Sequence, residues 1–224
     1  MITVTLDRPW LRADLHRPRR ILSFAPYRPG FVMARHILWR EVRNADLTPD
    51  FDVSDWFARD LARYGHQDAV GLLTSRDIGR FVLTEARVEG QGAACLATVG
   101  LGNAEAVGSR LPIDPQAGYG TINILVMSEP GLTETAQIEA LSIATQARTA
   151  AVMDSGLCLP DGHPATGTGT DCIAIAADPG PVAYAGLHTA LGEAIGRAVR
   201  TAVDQGAAEW MVENGRKAQT DSGK

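Results

Sequence analysis

The polar groups best suited to chemistry lie in short glycine-containing loops, and the densest of these is residues 166–171. It has the sequence Thr-Gly-Thr-Gly-Thr-Asp and leads directly into the apolar run 172–177. Glycine lets a backbone pass close to a ligand, while threonine hydroxyls and backbone N–H groups supply uncharged donors. Phosphate-binding glycine loops follow a strand and open a helix, whereas this loop enters a predicted strand. It is therefore either a binding loop that uses uncharged groups or a tight turn whose threonines bond to the local backbone.

Three titratable side chains are candidates for proton transfer: Asp171, His188 and Glu193. His188 directly precedes a predicted helix, whose positive amino end favours a neutral imidazole that can act as a base. Glu193 lies about one turn inside that helix, and a carboxylate can orient a histidine that activates water or a nucleophile. The same three groups are alternatively ligands for a divalent metal. The simpler alternative is structural, with His188 as a capping residue and Glu193 as a solvated one.

Uncharged polar side chains at strand ends and glycine loops are the candidates for substrate binding: Asn103, Thr121, Asn123, Thr168 and Thr170. Two of them, Thr121 and Asn123, alternate along a predicted strand and so share one face, although a buried asparagine is most often structural. Backbone N–H groups of residues 168–170, with an asparagine side chain, are suited to holding an oxyanion. We expect these loops and His188 to converge on one cleft.

Hydrophobic patterning predicts the elements that position these groups. Strands are expected at 2–6, 10–15, 20–24, 69–74, 81–88, 93–99, 120–127 and 172–177, and residues 31–42 fit strand or helix. Helices are expected at 54–64, capped by Ser54, at 133–153, capped by Thr133, and after residue 189. Successive strands without an intervening helix predict hairpins. The expected fold is α+β: one domain at 1–213, with helices packed on a mixed, largely antiparallel sheet, and a disordered polar tail at 214–224.

Composition narrows the class of protein. Of the 224 residues, 45% are hydrophobic and 21% are charged, as in ordinary globular proteins, and the net charge of -5 argues against nucleic-acid binding. No stretch has the roughly eighteen apolar residues of a membrane span, and the amino terminus lacks a signal-peptide core. The spacing of the three cysteines indicates neither a zinc site nor a disulfide framework. We expect a soluble cytoplasmic protein that does not act at a membrane, with no cofactor evident and with homo-oligomer formation left open.

Five sequence blocks occur together and in order: residues 22–26 (Leu-Ser-Phe-Ala-Pro), 97–104 (Ala-Thr-Val-Gly-Leu-Gly-Asn-Ala), 120–123 (Gly-Thr-Ile-Asn), 166–171, and 186–193 (Gly-Leu-His-Thr-Ala-Leu-Gly-Glu). The set resembles the adenosylcobinamide amidohydrolase family of corrinoid salvage over about residues 20–205. One departure is Arg-Pro-Gly at 28–30, where a glycine pair is expected in the family.

The resemblance implies a corrinoid substrate and hydrolysis of the amide that joins aminopropanol to a propionate side chain of adenosylcobinamide. The products would be adenosylcobyric acid and 1-amino-2-propanol. It assigns no catalytic role, so those of Asp171, His188 and Glu193 rest on chemistry alone. Two alternatives stay open: a corrinoid-binding protein without hydrolysis, and a nucleotide- or anion-binding module. The absence of a nearby lysine and of a following helix counts against the second alternative.

Overall fold

The computed structural model describes residues 1–42, 52–110 and 120–215. Within these ranges the helices are α1 (Val53–Arg63), α2 (Glu134–Asp154) and α3 (Ala190–Glu213), with a short 3₁₀ turn at Ile78–Arg80. The strands are β1 (Thr3–Asp7), β2 (Trp10–Ser23), β3 (Gly30–Glu41), β4 (Val70–Thr74), β5 (Val82–Val88), β6 (Gln91–Val99), β7 (Ala104–Glu105), β8 (Ile122–Ser128), β9 (Gly167–Thr168) and β10 (Cys172–Ala177).

Eight strands form one sheet in the order β4-β3-β2-β10-β8-β6-β5, with β1 paired to the first half of β2. The β3–β4 and β8–β10 pairs are parallel, and the remaining pairs are antiparallel. Strands β7 and β9 form a separate two-stranded ribbon. The predicted fold class is confirmed: this is an α+β domain built on a mixed, largely antiparallel sheet.

Strand β2 joins the two strands that were predicted at 10–15 and 20–24. Its register with β3 shifts between Asp14 and Arg19, which marks a β-bulge. The Asp14 carboxylate holds the bulge by accepting the N–H of His16 at 2.7 Å and two hydrogen bonds from Arg35 at 2.8 and 2.7 Å. His16 has a φ of 66°, so the chain turns locally without ending the strand. Residues 31–42, which fitted either element, are extended as β3.

Two hydrophobic cores lie on opposite faces of the sheet. Helices α2 and α3 pack on one face against alternate residues of the central strands, such as Cys95, Ile124 and Ile175. On the other face the sheet curls over its own side chains, and this core joins Leu96 and Leu125 to residues of β2, β3 and β4. The curl brings β4 to β8, although three strands separate them in the sheet order.

Helix α1 covers the outer side of β3 and β4 through Phe57 and Leu61. A Cβ on Gly71 would lie 2.7 Å from the Phe57 ring, so the close contact requires glycine at that position. The helix is capped by Asp52 and not by Ser54, because Asp52 accepts the N–H of Asp55 at 3.0 Å.

No helix in the described ranges is long and apolar enough to cross a membrane. Of the tail predicted to be disordered at 214–224, residues 216–224 lie outside the described residues. Asn214 and Gly215 close α3: the Asn214 N–H donates to Trp210 O at 3.1 Å, and Gly215 has a φ of 61°.

Candidate functional site

The glycine loops gather at one edge of the sheet. Strand β6 ends at this edge, while β8 and β10, which run antiparallel to it, begin there. The β7–β9 ribbon lies at the same edge and pairs Ala104 with Thr168 and Glu105 with Gly167. Strand direction therefore brings residues 100–105, 120–121 and 166–171 together, and these three segments are called the loop cluster below.

Asp171 ties the loop cluster to α2 and β8. Its Oδ1 accepts the N–H of Ile122 at 3.0 Å and the hydroxyl of Thr168 at 2.5 Å. Its Oδ2 accepts the N–H of Thr168 at 3.0 Å and forms an ion pair with Arg148. The Asp171 and Arg148 side chains are 9% and 14% exposed. A carboxylate has about four acceptor sites, and four donors occupy them here. Asp171 thus holds the loop in place, with no oxygen left open to a ligand.

The space around this ion pair requires a glycine. A Cβ on Gly167 would lie 2.6 Å from Asp171 Oδ2 and would collide with the Arg148 guanidinium. The alternation of threonine and glycine in this loop therefore has a packing cause at Gly167, because the arginine approaches the bare backbone.

The threonine hydroxyls that were predicted to bind substrate connect the loops to one another. Thr170 donates to Gly120 O at 3.0 Å, and its Oγ1 lies 2.6 Å from Thr121 Oγ1. Since Thr170 has one hydroxyl hydrogen, Thr121 is the donor in the second bond. Thr168 donates to Asp171. The three hydroxyls fix the shape of the loop cluster.

Asn123 lies apart from the loop cluster, inside the curled sheet. It is 1% exposed, and its Nδ2 donates to Leu73 O of β4 at 2.8 Å. The structure thus places this residue, predicted to bind substrate, in a connection between two strands.

Among the described residues, the Asn103 Oδ1 and the Glu105 carboxylate of the loop cluster have no hydrogen-bond partner. The Asn103 carboxamide lies between two glycines: a Cβ on Gly120 would be 3.0 Å from its Oδ1, and one on Gly169 would be 3.7 Å from its Nδ2. Its Oδ1 is buried and has no hydrogen-bond partner among the described residues. The Glu105 carboxylate lies beside it, with Oε1 3.6 Å from the same Gly169 Cβ position. A carboxylate and an amide therefore face one small space above Gly169.

Glu105 was not singled out from the sequence. Its signal is its place two residues after Asn103 in an extended segment, where alternate residues point to the same side. The composition of residues 166–171 predicts a binding loop from the sequence. That Glu105 lies beside this loop is visible only in the structure, where the ribbon pairs it with Gly167.

The backbone donors that were proposed for an oxyanion are partly occupied. The Thr168 N–H donates to Asp171, and the Gly169 N–H donates to Asn103 O at 3.3 Å. Within the described ranges, the Thr170 N–H has no acceptor and is the one of the three left for a ligand.

His188 and Glu193 lie at the other end of the helical layer. Thr189 caps α3 by accepting the N–H of Gly192 at 2.9 Å, and Glu193 pairs with Arg197 at 2.5 Å on the helix surface.

Two glycines of α3 show how far this end lies from the loop cluster. A Cβ on Gly192 would collide with Gly186 O, whereas one on Gly206 would be 2.7 Å from Val99, at the end of β6. Fourteen residues of α3 separate these glycines, which corresponds to about 21 Å along the axis.

Helix α2 independently shows that the His188 region and the loop cluster lie apart. Its Glu139 accepts the N–H of Ala185 at 2.8 Å, and its Arg148 reaches Asp171. These positions are nine residues apart, or about 14 Å of helix. The predicted convergence thus needs correction: Asn103, Thr121, Thr168, Thr170 and Asp171 come together, and His188 and Glu193 do not join them. In the part of the chain that the structure describes, no three His, Cys, Asp or Glu residues form a metal-binding group.

Cys172 directly follows Asp171, so this thiol is adjacent to the loop cluster in sequence. It is 4% exposed, and burial raises the pKa of its thiol to about 12. The thiolate is the nucleophilic form of cysteine, so near neutral pH this side chain is a protonated core residue and a poor nucleophile.

Comparison with known proteins adds a family and two partial likenesses. The sequence model of the family described as adenosylcobinamide amidohydrolase (CbiZ) matches residues 2–215. An uncharacterized protein of Methanocaldococcus jannaschii, MJ1613, is 38% identical over 95 residues, which are 41% of this chain and 37% of that protein. The chain thus spans little more than a third of that relative's length.

Among solved structures, the PH0078 protein from Pyrococcus horikoshii OT3 is similar with a TM-score of 0.43 and 10% identity, over 94% of this chain and 82% of that one. The family match has a much firmer basis, because it extends from β1 to the end of α3 and includes the whole loop cluster. The chain therefore belongs to the adenosylcobinamide amidohydrolase family.

Proposed function

We propose that the protein hydrolyses adenosylcobinamide at the amide between aminopropanol and a propionate side chain, giving adenosylcobyric acid and 1-amino-2-propanol. The observation that carries this proposal is the family match over residues 2–215. The chemistry of the loop cluster supports it, because a corrin is a broad ring edged with amides, and uncharged donors and acceptors suit such a ligand.

Hydrolysis of an unactivated amide requires a base, stabilisation of the tetrahedral oxyanion and protonation of the leaving amine. In our proposal Glu105 accepts a proton from water as the water oxygen attacks the amide carbon. The Asn103 side chain and the Thr170 N–H hold the oxyanion. The protonated Glu105 then donates to the amine nitrogen as the C–N bond breaks, so that the products are a carboxylic acid and an amine.

In this scheme Asp171 and Arg148 are positioning residues. Their ion pair and the Thr168 bonds hold residues 166–171 against β8, which keeps the Thr170 N–H and the Asn103 amide in a fixed relation. Fixed donors are effective in catalysis because they need no reorganisation during the reaction. The rival proposal gives proton transfer to Asp171, His188 and Glu193. It requires these three side chains to act on one substrate bond, although Asp171 lies at one end of the helical layer and His188 and Glu193 lie at the other.

The test is incubation of purified protein with adenosylcobinamide, with mass spectrometry of the corrinoid and assay of free aminopropanol. We expect loss of the aminopropanol group and a new carboxylate on the corrinoid. Adenosylcobyric acid, which lacks the scissile amide, is the control substrate and should remain unchanged. A corrinoid that binds in equilibrium dialysis yet stays intact would identify a non-catalytic binding protein. A corrinoid that neither binds nor reacts would refute both readings.

A further inference from the structure

Three large apolar side chains are exposed together beside the loop cluster: Phe24 (52% exposed), Phe31 (42%) and Met33 (51%). They are called the apolar shelf below. Contiguous exposed apolar side chains on a globular protein commonly mark a binding surface, because a ligand that covers them removes apolar area from water, which is favourable.

The strand register explains why the shelf is uncovered. Leu22 pairs with Phe31, and Arg20 pairs with Met33, so the four side chains share one face of the sheet. On the other side of β2, Leu22 pairs with Ile175, which lies in the core beneath α2 and α3. The shelf is therefore a lateral continuation of the face that the helices cover.

Helix α2 stops short of the shelf. Its amino end is tied to β2 by Gln137, whose Oε1 accepts from Arg20 Nε at 2.7 Å and whose Nε2 donates to Arg20 O at 2.9 Å. The Arg20 guanidinium lies 5.9 Å from the centre of the Phe31 ring, which restrains the ring without burying it. The layer formed by α2 and α3 thus ends at β2, and Phe31 and Met33 of β3 beyond it are exposed.

The shelf is continuous with the loop cluster. Phe24 follows Ser23, which pairs with Ala174, three residues after Asp171. Along α2, Glu134, Leu141 and Arg148 recur every seven residues and so lie on one stripe. The ends of the stripe are fixed by Arg20, 3.7 Å from Glu134, and by Asp171. Half-buried Leu141 lies at the centre of this stripe and packs against the core beneath the helices.

We propose that the apolar shelf binds one face of the corrin ring and thereby presents the aminopropanol amide at the ring edge to the loop cluster. This inference rests on the proposed function. Phe31 and Met33, two residues apart on β3, span about 7 Å along the strand, and Leu22 lies about 5 Å to one side on β2. A ligand that meets this surface and the amide-binding loops together must have a broad apolar face and an amide edge, which is the chemistry of a corrinamide.

The experiment compares the double variant Phe31→Gln/Met33→Gln with the wild type. The control variant is Leu83→Gln. Leu83 is 40% exposed on β5 and pairs with Leu96, so both side chains lie on the face of the sheet opposite to the shelf. Equilibrium dialysis with adenosylcobinamide gives the dissociation constant, and product assay gives kcat and KM. We expect a tenfold or greater rise in Kd and KM, of the order produced by exposing one buried apolar side chain, with kcat within about twofold.

The outcomes separate this inference from the proposed function. If the wild type binds the corrinoid without hydrolysing it and the double variant loses binding, the shelf is supported and the proposed reaction is wrong. If hydrolysis occurs with unchanged Kd and KM in the double variant, the shelf assignment is overturned and the reaction stands. A concentration-dependent dimer in sedimentation that the double variant abolishes, with corrinoid affinity unaltered, also overturns the assignment and identifies the shelf as a self-association surface.

Discussion

At the residue scale, Asp171 and Glu105 differ in how many donors their carboxylate oxygens accept. Both oxygens of Asp171 accept hydrogen bonds, whereas those of Glu105 have no donor among the described residues. Asp171 accepts from Ile122, Thr168 and Arg148, three partners on three different segments. The sequence marks Asp171 as special through its glycine loop, but its partners are up to 49 residues away along the chain. Local patterning therefore predicts the loop and cannot predict that the carboxylate is already occupied.

We predict that Glu105→Gln lowers kcat about a hundredfold or more, the usual effect of removing a group that transfers protons in the transition state. KM should change little, since the amide keeps the shape of the carboxylate. Steady-state kinetics with adenosylcobinamide measures both constants. His188→Ala tests the rival assignment: we expect nearly normal turnover, whereas a hundredfold loss in this variant with normal turnover in Glu105→Gln would reverse our assignment.

Cys172→Ala is expected to keep kcat within about twofold of the wild type, because a buried, protonated thiol is a core residue and a poor nucleophile. Iodoacetamide at neutral pH should leave the wild-type activity intact for the same reason. Covalent trapping of the corrinoid acyl group on Cys172, or activity abolished in a folded Cys172→Ala protein, would establish nucleophilic catalysis.

At the scale of elements, helices were the more predictable part of the fold. The helix predicted at 133–153 is α2, Glu134–Asp154, and the expected cap is confirmed, because Thr133 accepts the N–H of Ala136 at 3.1 Å. Caps and helical periodicity are properties of adjacent residues. The bulge of β2 escaped prediction because Asp14 stabilises it with Arg35, a residue on the neighbouring strand.

We predict that Arg148→Met destabilises the protein by about 3–5 kcal/mol, because it leaves a buried Asp171 carboxylate without its counter-ion. The double variant Arg148→Met/Asp171→Asn should recover part of that loss. Urea unfolding of the wild type, the two single variants and the double variant gives the coupling energy. Additive losses would contradict the role of this ion pair in holding the loop.

The bulge makes a pH-dependent prediction. Hydrogen bonds from Arg35, followed by a smaller contribution from the His16 N–H, hold the pKa of the Asp14 carboxyl far below its usual value. Such a depressed pKa contributes stability above the unfolded-state pKa of about 3.9 and loses it as pH falls toward the folded-state pKa. Asp14→Asn should therefore cost about 1.5–3 kcal/mol near neutral pH, as for a hydrogen bond to a charged group.

The difference in unfolding free energy between wild type and Asp14→Asn should shrink as the pH is lowered below about 4. Denaturant unfolding at a series of pH values measures it. A difference that stays constant from pH 7 to pH 2 would show that the ionisation of Asp14 does not stabilise the bulge.

At the scale of the whole molecule, the sheet supplies both the site and its neighbouring surface. The antiparallel run of β6 against β8 and β10 gathers the loop cluster at one edge, and the extension of β2 and β3 beyond α2 leaves the apolar shelf open beside it. The sequence predicts the class of the fold, because alternation and turns are local. It does not predict the curl, because Asn123 and Leu73 meet only after five strands have paired.

That contact separates a structural role of Asn123 from the substrate-binding role predicted for it. We expect Asn123→Ala to lower the free energy of unfolding by about 1–3 kcal/mol, because the buried Leu73 carbonyl loses its donor. The KM for adenosylcobinamide should stay within about twofold, since the side chain faces the inner core and not the loop cluster. Thermal or urea unfolding, together with kinetics on the folded fraction, measures the two effects separately.

Thr98→Val is the matched control for Asn123→Ala. Thr98 pairs with Asn123 across β6 and β8, is fully buried, and its hydroxyl has no hydrogen-bond partner among the described residues. Removing an unpaired buried hydroxyl while keeping the volume should leave stability unchanged or raise it. A rise in KM with unaltered stability in Asn123→Ala would restore this residue to the substrate site. A side chain whose role is to join β8 to β4 must lower the free energy of unfolding when it is removed.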